Sequence, residues 1–511
     1  MVRLGARRNP VGWSAARLLA LSVAASGCAG ADPPAVPREL RVLVARPAVA
    51  LDPLLTGDVA TRSMLANVYE GLVEASAGQG LTPGLAVAWS NPSDDVWRLE
   101  LRQGVRFHDG RELDSRDVVE SLERGRLDPG SWSRDDLSRV RSVRATGTHA
   151  LEIETHGPSP LLLNELREVP ILPAGVRPTR ADDAVGTGRY RIVAWEGPGA
   201  LELAGFADHW AGAPRWDRVE FGVEVDPAAR VRALRAGDYD LVEAPEQSLL
   251  GELESAGFEV ISHAAASVVI LGFRVVDEPD NPFADPAVRE AISLALDREA
   301  LVREIFPRTG AVATQLAPPG VFGYVPGQPL PAYDPVAARA RLAASRWPRG
   351  FEAGLGCSTG RQELARFVAR SVGPVGIRLE PELLSWAELD ERLQAVAQPA
   401  YLFLMTYPTL ETGALLDEGF HTRRAGSGRG ILNFSGYSSP ALDELIARTD
   451  VELDPRRRLA LLQEGMRRVG AERVWLPLAV SSLLWAARPG IQWEETLSGR
   501  MELEGITAAG H

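Results

Sequence analysis

Residues 85–124, LAVAWSNPSDDVWRLELRQGVRFHDGRELDSRDVVESLER, place a strand, a turn and a helix start in close succession. No other stretch restricts the fold of the chain as strongly. In 96–101 (VWRLEL) apolar Val96, Leu99 and Leu101 alternate with polar side chains, the period of a half-buried strand. A second short strand is expected to reach Phe107, and Asp109-Gly110 is a turn dipeptide. Asp114, followed by Asp117, marks a helix start, an acidic cap and an acidic first turn that satisfy free N–H groups. Val118, Val119 and Leu122 supply the buried stripe of that helix. By itself such a unit suits any α/β or α+β domain.

The remaining chain alternates strands and helices. Strands are expected at 41–45 (RVLVA), 190–194, 201–204, 216–221 and 238–241, with a strand pair around Val140, Val143 and 151–153. Helices are expected at 64–72 (MLANVYEGL) and 228–236. Gly186 and Gly188 read as a flexible turn. The run 267–273 (SVVILGF) is apolar throughout, as in a fully buried strand. Beyond it, 287–296, 336–344, 361–372, 388–396, 441–448 and 455–469 read as helices and 351–357, 377–381 and 401–406 as strands. This spacing argues for an α/β lobe with a largely parallel sheet. Its ligand crevice would lie at the carboxyl ends of the strands, which directs attention past Thr406. An apolar stretch, 474–485, closes the fold before Arg488-Pro489-Gly490. A chain of 511 residues can bury at least two substantial cores.

Charge excludes one large class. The net charge is −13 and every basic residue is an arginine, so a phosphate backbone is a poor partner. The amino terminus carries Arg3, Arg7, Arg8 and Arg17, then an apolar run over 18–25, then Ala25-Ser26-Gly27-Cys28. That order is a secretory signal, and the run is too short to span a bilayer. Small residues directly before Cys28 resemble a bacterial lipobox, which implies cleavage before that cysteine and a lipid on its sulfur. Cys357 is then the one remaining cysteine, so no disulfide framework holds the chain. Residues 29–37 (AGADPPAVP) read as a tether, with folding from Leu40.

Catalytic and metal-binding patterns are sparse. His149, Glu152 and His156 lie close in sequence, but on a strand positions 149 and 152 face opposite sides, and they read as solvated polar residues. The sequence contains no HExxH or CxxC. His108-Asp109 has the composition of a base and its orienting acid, yet both belong to the turn. No cofactor, no metal and no enzymatic activity are expected.

The wording of the opening segment, WxLELRxGVRFHDGxxLxxxDVVxSLER, closely resembles that shared by bacterial extracellular solute-binding proteins of family 5, the peptide/nickel-type receptors of ABC importers. Four further blocks resemble the same family in order: RVLVA through LDP to YEGL; TGRYRIVAWE with FADHWAGAP, RWDRVEF and ALRAGDYDL; NPFADPAVREAISLALDR; and NFSGYSSPALD. Together they cover the chain from Leu40 to about Gly490.

The resemblance implies a mixed α/β, periplasmic-binding-protein-like fold with two lobes joined by a hinge. Residues 1–27 would be a lipoprotein signal peptide and 28–38 a tether. The first lobe would span 39–270 with a subdomain inserted at about 60–180, the second lobe 271–478, and 479–511 would return to the first. It further implies an exported monomer, lipid-anchored at Cys28 on the periplasmic or outer face of the membrane. Such a monomer closes over a peptide or other small solute and delivers it to a permease and its ATPase. A surface receptor without a transport role and a lipid-anchored hydrolase are the alternatives.

Candidate contacts follow from the same resemblance. The loop 56–61 (TGDVAT), with Asp58 and Val59, would lie along the cleft, where its backbone can pair with an extended ligand. Peptide-binding members end a later strand in a Trp-x-Ala-Asp-Tyr-type motif whose aspartate neutralises the ligand ammonium. Here those positions are Phe403, Met405, Thr406 and Tyr407, and Thr406 carries no charge, so a buried ammonium would be costly. Glu411 is either a substitute counter-ion or a solvated loop residue. The segment 423–430 (RRAGSGRG) lacks the strand and helix that flank a phosphate cradle and reads as a cleft loop. Its Arg423, Arg424 and Arg429 could meet an anionic ligand as bidentate donors.

Overall fold

Two long antiparallel strands, Glu259–Phe273 and Trp475–Ala487, form the middle of an eleven-stranded sheet. The computed structural model describes residues 38–75, 80–308, 310–330, 332–424, 428–494 and 500–508. The signal, the lipidation of Cys28 and most of the tether therefore lie outside the described residues. From the central pair the sheet continues on one side through Leu241–Glu243, Glu39–Val44, Arg218–Val223, Leu201–Gly205 and Tyr190–Trp195. On the other side it continues through Ala400–Thr406, Phe351–Ser358 and Ile377–Leu384, and Gly310–Val312 adds to Trp475–Ala487.

The two central strands serve separate cores because successive side chains of a strand point to opposite faces. Their register runs from Glu259 opposite Ala487 to Ala264 opposite Ser482, then slips before Val268 meets Val480. On the near side of the slip, Trp485 and Ala487 join a core built from residues such as Leu40, Phe107 and Phe221, while Leu484 and Ala486 pack on the helix Pro227–Ala236. Beyond it, Val269, Leu271 and Leu476 enter one core and Val268, Ile270 and Trp475 another. Parallel pairing is narrower than the sequence suggests. Phe351–Ser358 is parallel to both neighbours, whereas Ala400–Thr406 runs against Glu259–Phe273, so the sheet is mixed.

The opening stretch folds nearly as its pattern dictates. Val96–Leu101 is a strand of a four-stranded antiparallel sheet, with Trp97, Leu99 and Leu101 buried and Val96 only half-buried. The helix is Ser115–Leu127, and Asp114 and Asp117 form a reciprocal capping box at its start. The strand expected to reach Phe107 reduces to one bridge between Arg106 and Glu112.

The helix expected over 64–72 is instead Val59–Leu65. It begins early because the Asp58 carboxylate accepts from Thr61 N at 2.7 Å. It stops early because the carbonyls of Asn67 and Val68 accept from Tyr190 N and Gly188 N. That approach also explains the glycines at 186 and 188. A Cβ at Gly186 would stand 2.0 Å from the Val68 carbonyl oxygen, so close backbone contact rather than flexibility requires glycine.

Candidate functional site

Beside the helix Val59–Leu65, a concavity of about 110 Å³ is lined by Arg46, Val59, Met64, His263, Trp485 and Trp493 among others. Val59 is 65 % exposed, an unusual state for a valine. Trp493 stands 5.1 Å from Trp485 and 4.6 Å from the His263 ring, giving the concavity an aromatic wall at the strand slip. Asp58 is occupied by its cap and by Arg46 at 3.5 Å. Burial pushes its carboxyl up, but the Thr61 N–H and hydroxyl and Arg46 together bring it below the ordinary range. The backbone from Val59 to Thr61 is helical, so the loop left open for strand pairing is shorter than the sequence suggests.

An arginine cluster adjoins this concavity, and the sequence pattern did not single out any member of it. Glu168 accepts from Arg62 at 2.5 Å, from Arg167 through its other oxygen at 2.6 Å, and from Arg500. The Arg62 guanidinium lies 3.5 Å from the centre of the Trp132 ring, a cation–π stack. Burial lowers the pKa of Arg62 and Arg167. Burial also pushes the Glu168 carboxyl up, but its three arginines hold it below the carboxylate norm. Only tertiary folding joins positions 62, 132, 167 and 500, so no local motif announces them.

A second wall, on the other side of the central strand pair, is carried by the carboxyl ends of Phe351–Ser358, Ile377–Leu384 and Ala400–Thr406. Thr406 is exposed at its strand end, opposite Ser267. Phe403 is half-buried, its ring 5.5 Å from Phe434 and 6.1 Å from the exposed Trp386. Tyr407 lies inside the core, where its hydroxyl donates to the Leu316 carbonyl. Glu411 is equally buried and held by Arg458.

The three loop arginines are dispersed. Arg423 donates to the backbone carbonyls of Gln394, Gly430 and Ile431, and so braces its own loop. Arg429 pairs with Asp450 at 2.5 Å and Asp417 at 3.4 Å, while Arg424 is exposed. The fold therefore does not gather Arg423, Arg424 and Arg429 at one point.

Direct contacts join the two walls. From the helix Leu162–Glu168, Asn164 Nδ2 donates to the Thr409 carbonyl at 2.9 Å and Arg167 Nη2 to the Pro408 carbonyl at 2.6 Å. His108, by contrast, is structural. Its Nδ1 accepts from Gly186 N at 3.2 Å and its Nε2 faces the Gly188 carbonyl at 2.9 Å, while Asp109 accepts from Arg111 N.

A mixed sheet whose two central strands feed separate cores defines a periplasmic-binding-protein-like fold. The model of bacterial extracellular solute-binding proteins, family 5 middle, matches residues 80–427, and the chain belongs to that family. It is 26 % identical over 462 residues to probable di/tripeptide-binding protein 5 of Pseudomonas aeruginosa, covering 82 % of this chain and 86 % of that one. The structure of HbpA2 from Haemophilus parasuis superposes with a TM-score of 0.81 at 21 % identity, over 92 % of this chain and 99 % of the other. The structure of a nickel ABC transporter from Bacillus halodurans superposes with a TM-score of 0.80 at 22 % identity, over 92 % and 99 % of the two chains.

Proposed function

We propose that this chain is the solute-capturing component of an ABC importer, closing two lobes over a small ligand and presenting it to a permease. One observation carries the reading. The central strand pair connects separately packed cores and slips register between Ala264 and Val268. A slip of this kind is a place where a long strand pair bends most easily, and hinge closure is a usual capture motion for such folds. In this reading residues 39–270 form the first lobe, with an insertion at about 60–180, residues 271–478 form the second, and 479–511 return to the first. Export with a lipid on Cys28 would keep the receptor beside its permease.

The ligand in this proposal is a small solute whose recognition does not depend on a free ammonium. Thr406 is uncharged, and the nearby Glu411 is already neutralised by Arg458. Val59, the Trp485–Trp493 wall and the Arg62–Arg167–Arg500 cluster supply apolar contact and positive charge instead.

The test is mass spectrometry of whatever small molecule is released when gently purified protein is denatured. A single defined solute is the expected result. Co-purifying short peptides would overturn the ammonium argument. No released molecule, together with no thermal shift across peptides, glutathione, nickel chelates and acidic metabolites, would overturn the receptor reading.

A further inference from the structure

A second concavity, of about 480 Å³, opens between the last turn of the helix Pro455–Glu472, the loop 314–330 and the first residues of the strand Trp475–Ala487. It is distinct from the concavity beside Val59, because Pro477 and Trp485 stand roughly 25 Å apart along that strand. Its floor is apolar: Leu316, Val325, Met466, Trp475 and Leu476, each no more than 5 % exposed. A volume of this size suits a small organic molecule.

The charged side chains on its rim are arginines, and no aspartate or glutamate lines it among the described residues. Arg467 is exposed and Arg473 half-buried, and neither forms an ion pair among the described residues. The acids adjoining them on the helix are engaged elsewhere, Glu464 with Arg468 and Glu472 with Arg289 at 3.8 Å. Arg473 also sits at φ 51°, a left-handed conformation that a glycine would adopt at less cost, and strain of this kind gathers at ligand sites. Gln328, another lining residue, has its Oε1 shielded from solvent and without a hydrogen-bond partner.

A third cation lies directly behind one wall. Arg298 is 5 % exposed, and its guanidinium donates to the Pro477 carbonyl at 2.9 Å, the Ser293 carbonyl at 3.1 Å and Ser293 Oγ at 3.2 Å. Ser293 and Pro477 both line the concavity. Arg230 and Arg289 are buried and carbonyl-bound in the same way, but glutamates act on each of them, Glu224 and Glu243 on the first and Glu472 on the second. Only burial acts on Arg298, bringing it down to about 10. Neutral acceptors satisfy its N–H groups and leave its charge uncompensated, a costly state for a buried ion. Ser293 Oγ accepts from Arg298, so its own proton can be donated into the concavity.

We propose that this concavity binds a small organic carboxylate, its acid group held by Arg467, Arg473 and the Ser293 hydroxyl, its apolar body resting on Leu316, Met466 and Trp475. The chemistry selects this class. An inorganic anion would leave the apolar floor uncovered, and a neutral hydrocarbon would bury arginines without an answering charge. Gln328 Oε1 would accept from a hydroxyl or amide N–H on the body. The site lies wholly on the helix Pro455–Glu472, the loop 314–330, Ser293 and the strand start, so it does not depend on the import reading.

Titration calorimetry of the full chain tests it, with octanoate as the probe and 1-octanol and acetate as controls. The expected result is saturable binding of one octanoate per chain, with both controls at least tenfold weaker. The pair Arg467→Gln/Arg473→Asn should weaken octanoate at least tenfold, asparagine being chosen because it tolerates left-handed backbone. Ala471→Trp, at an exposed lining position, should weaken it as much by filling the mouth without a change of charge. Octanoate that does not saturate, or 1-octanol that binds as tightly, would overturn the proposal. Unchanged octanoate binding in either variant protein would place the probe elsewhere and overturn it too. Circular dichroism of each variant shows whether it is folded.

Discussion

Glu411 and Arg458 lock together in the core, each side chain 4 % exposed, so the acid closest to Thr406 in sequence is not free for a ligand. Burial pushes the Glu411 carboxyl up and Arg458 opposes it. Removing the cation leaves a carboxyl without its counter-charge in the core. Arg458→Leu should therefore cost about 3–5 kcal/mol, whereas the double variant with Glu411→Leu should recover much of the loss. Denaturant unfolding of the three proteins measures both.

His108 ties the first sequence block to the third and sets a pH dependence of its own. Burial brings its pKa down to about 4, outweighing the Nε2–H bond to the Gly188 carbonyl, which favours the charged form; Nδ1 stays unprotonated and accepts from Gly186 N. The unfolded chain binds a proton near pH 6.5 and the folded one does not. The contribution is thus complete above the unfolded value and lost as pH falls through the folded one, amounting to up to about 3 kcal/mol. Imidazole chemical shifts followed from pH 7 to pH 3.5 should show His108 still neutral at pH 5.5 and titrating only near the acid end of the range.

Gly186→Ala should be among the most damaging single substitutions in the first lobe. Its Cβ would press on the Val68 carbonyl at 2.0 Å, and backbone cannot rotate aside as a side chain can. A loss of about 3 kcal/mol or more is expected, at the upper end of overpacking costs. Thermal melting would show it, and an unchanged midpoint would mean that the 66–68 turn yields easily.

Asp114→Ala removes one half of the capping box at the helix Ser115–Leu127, where Asp114 accepts from Arg116 N at 2.8 Å. The expected cost is about 1 kcal/mol. Asp117→Ala should cost more, because Asp117 is wholly buried and also holds Arg111 and Ala174 N. Urea midpoints of the two variants give the order.

Local patterns carried a large share of the architecture. Period-two alternation predicted Val96–Leu101, the uninterrupted run 267–273 predicted a fully buried strand, and the helices expected over 287–296, 441–448 and 455–469 are found as Pro286–Ala295, Pro440–Thr449 and Pro455–Glu472. The early end of Val59–Leu65 was invisible because the groups that claim its carbonyls lie more than a hundred residues away. The site was less visible still. Thr406 could be read as an uncharged strand end, but Tyr407 and Glu411 turn inward to partners at 316 and 458 that no spacing reveals.

The sequence by itself determined the secondary elements and the family blocks, because caps, turns and hydrophobic periods act over a few residues. Which distant groups pair with one another was decided only by the tertiary structure. Arg62, Glu168 and Arg500 meet only through the fold, as do Arg167 and the Pro408 carbonyl. Charge and desolvation act through space, so their strength depends on distance and burial that exist only once the sheet has formed.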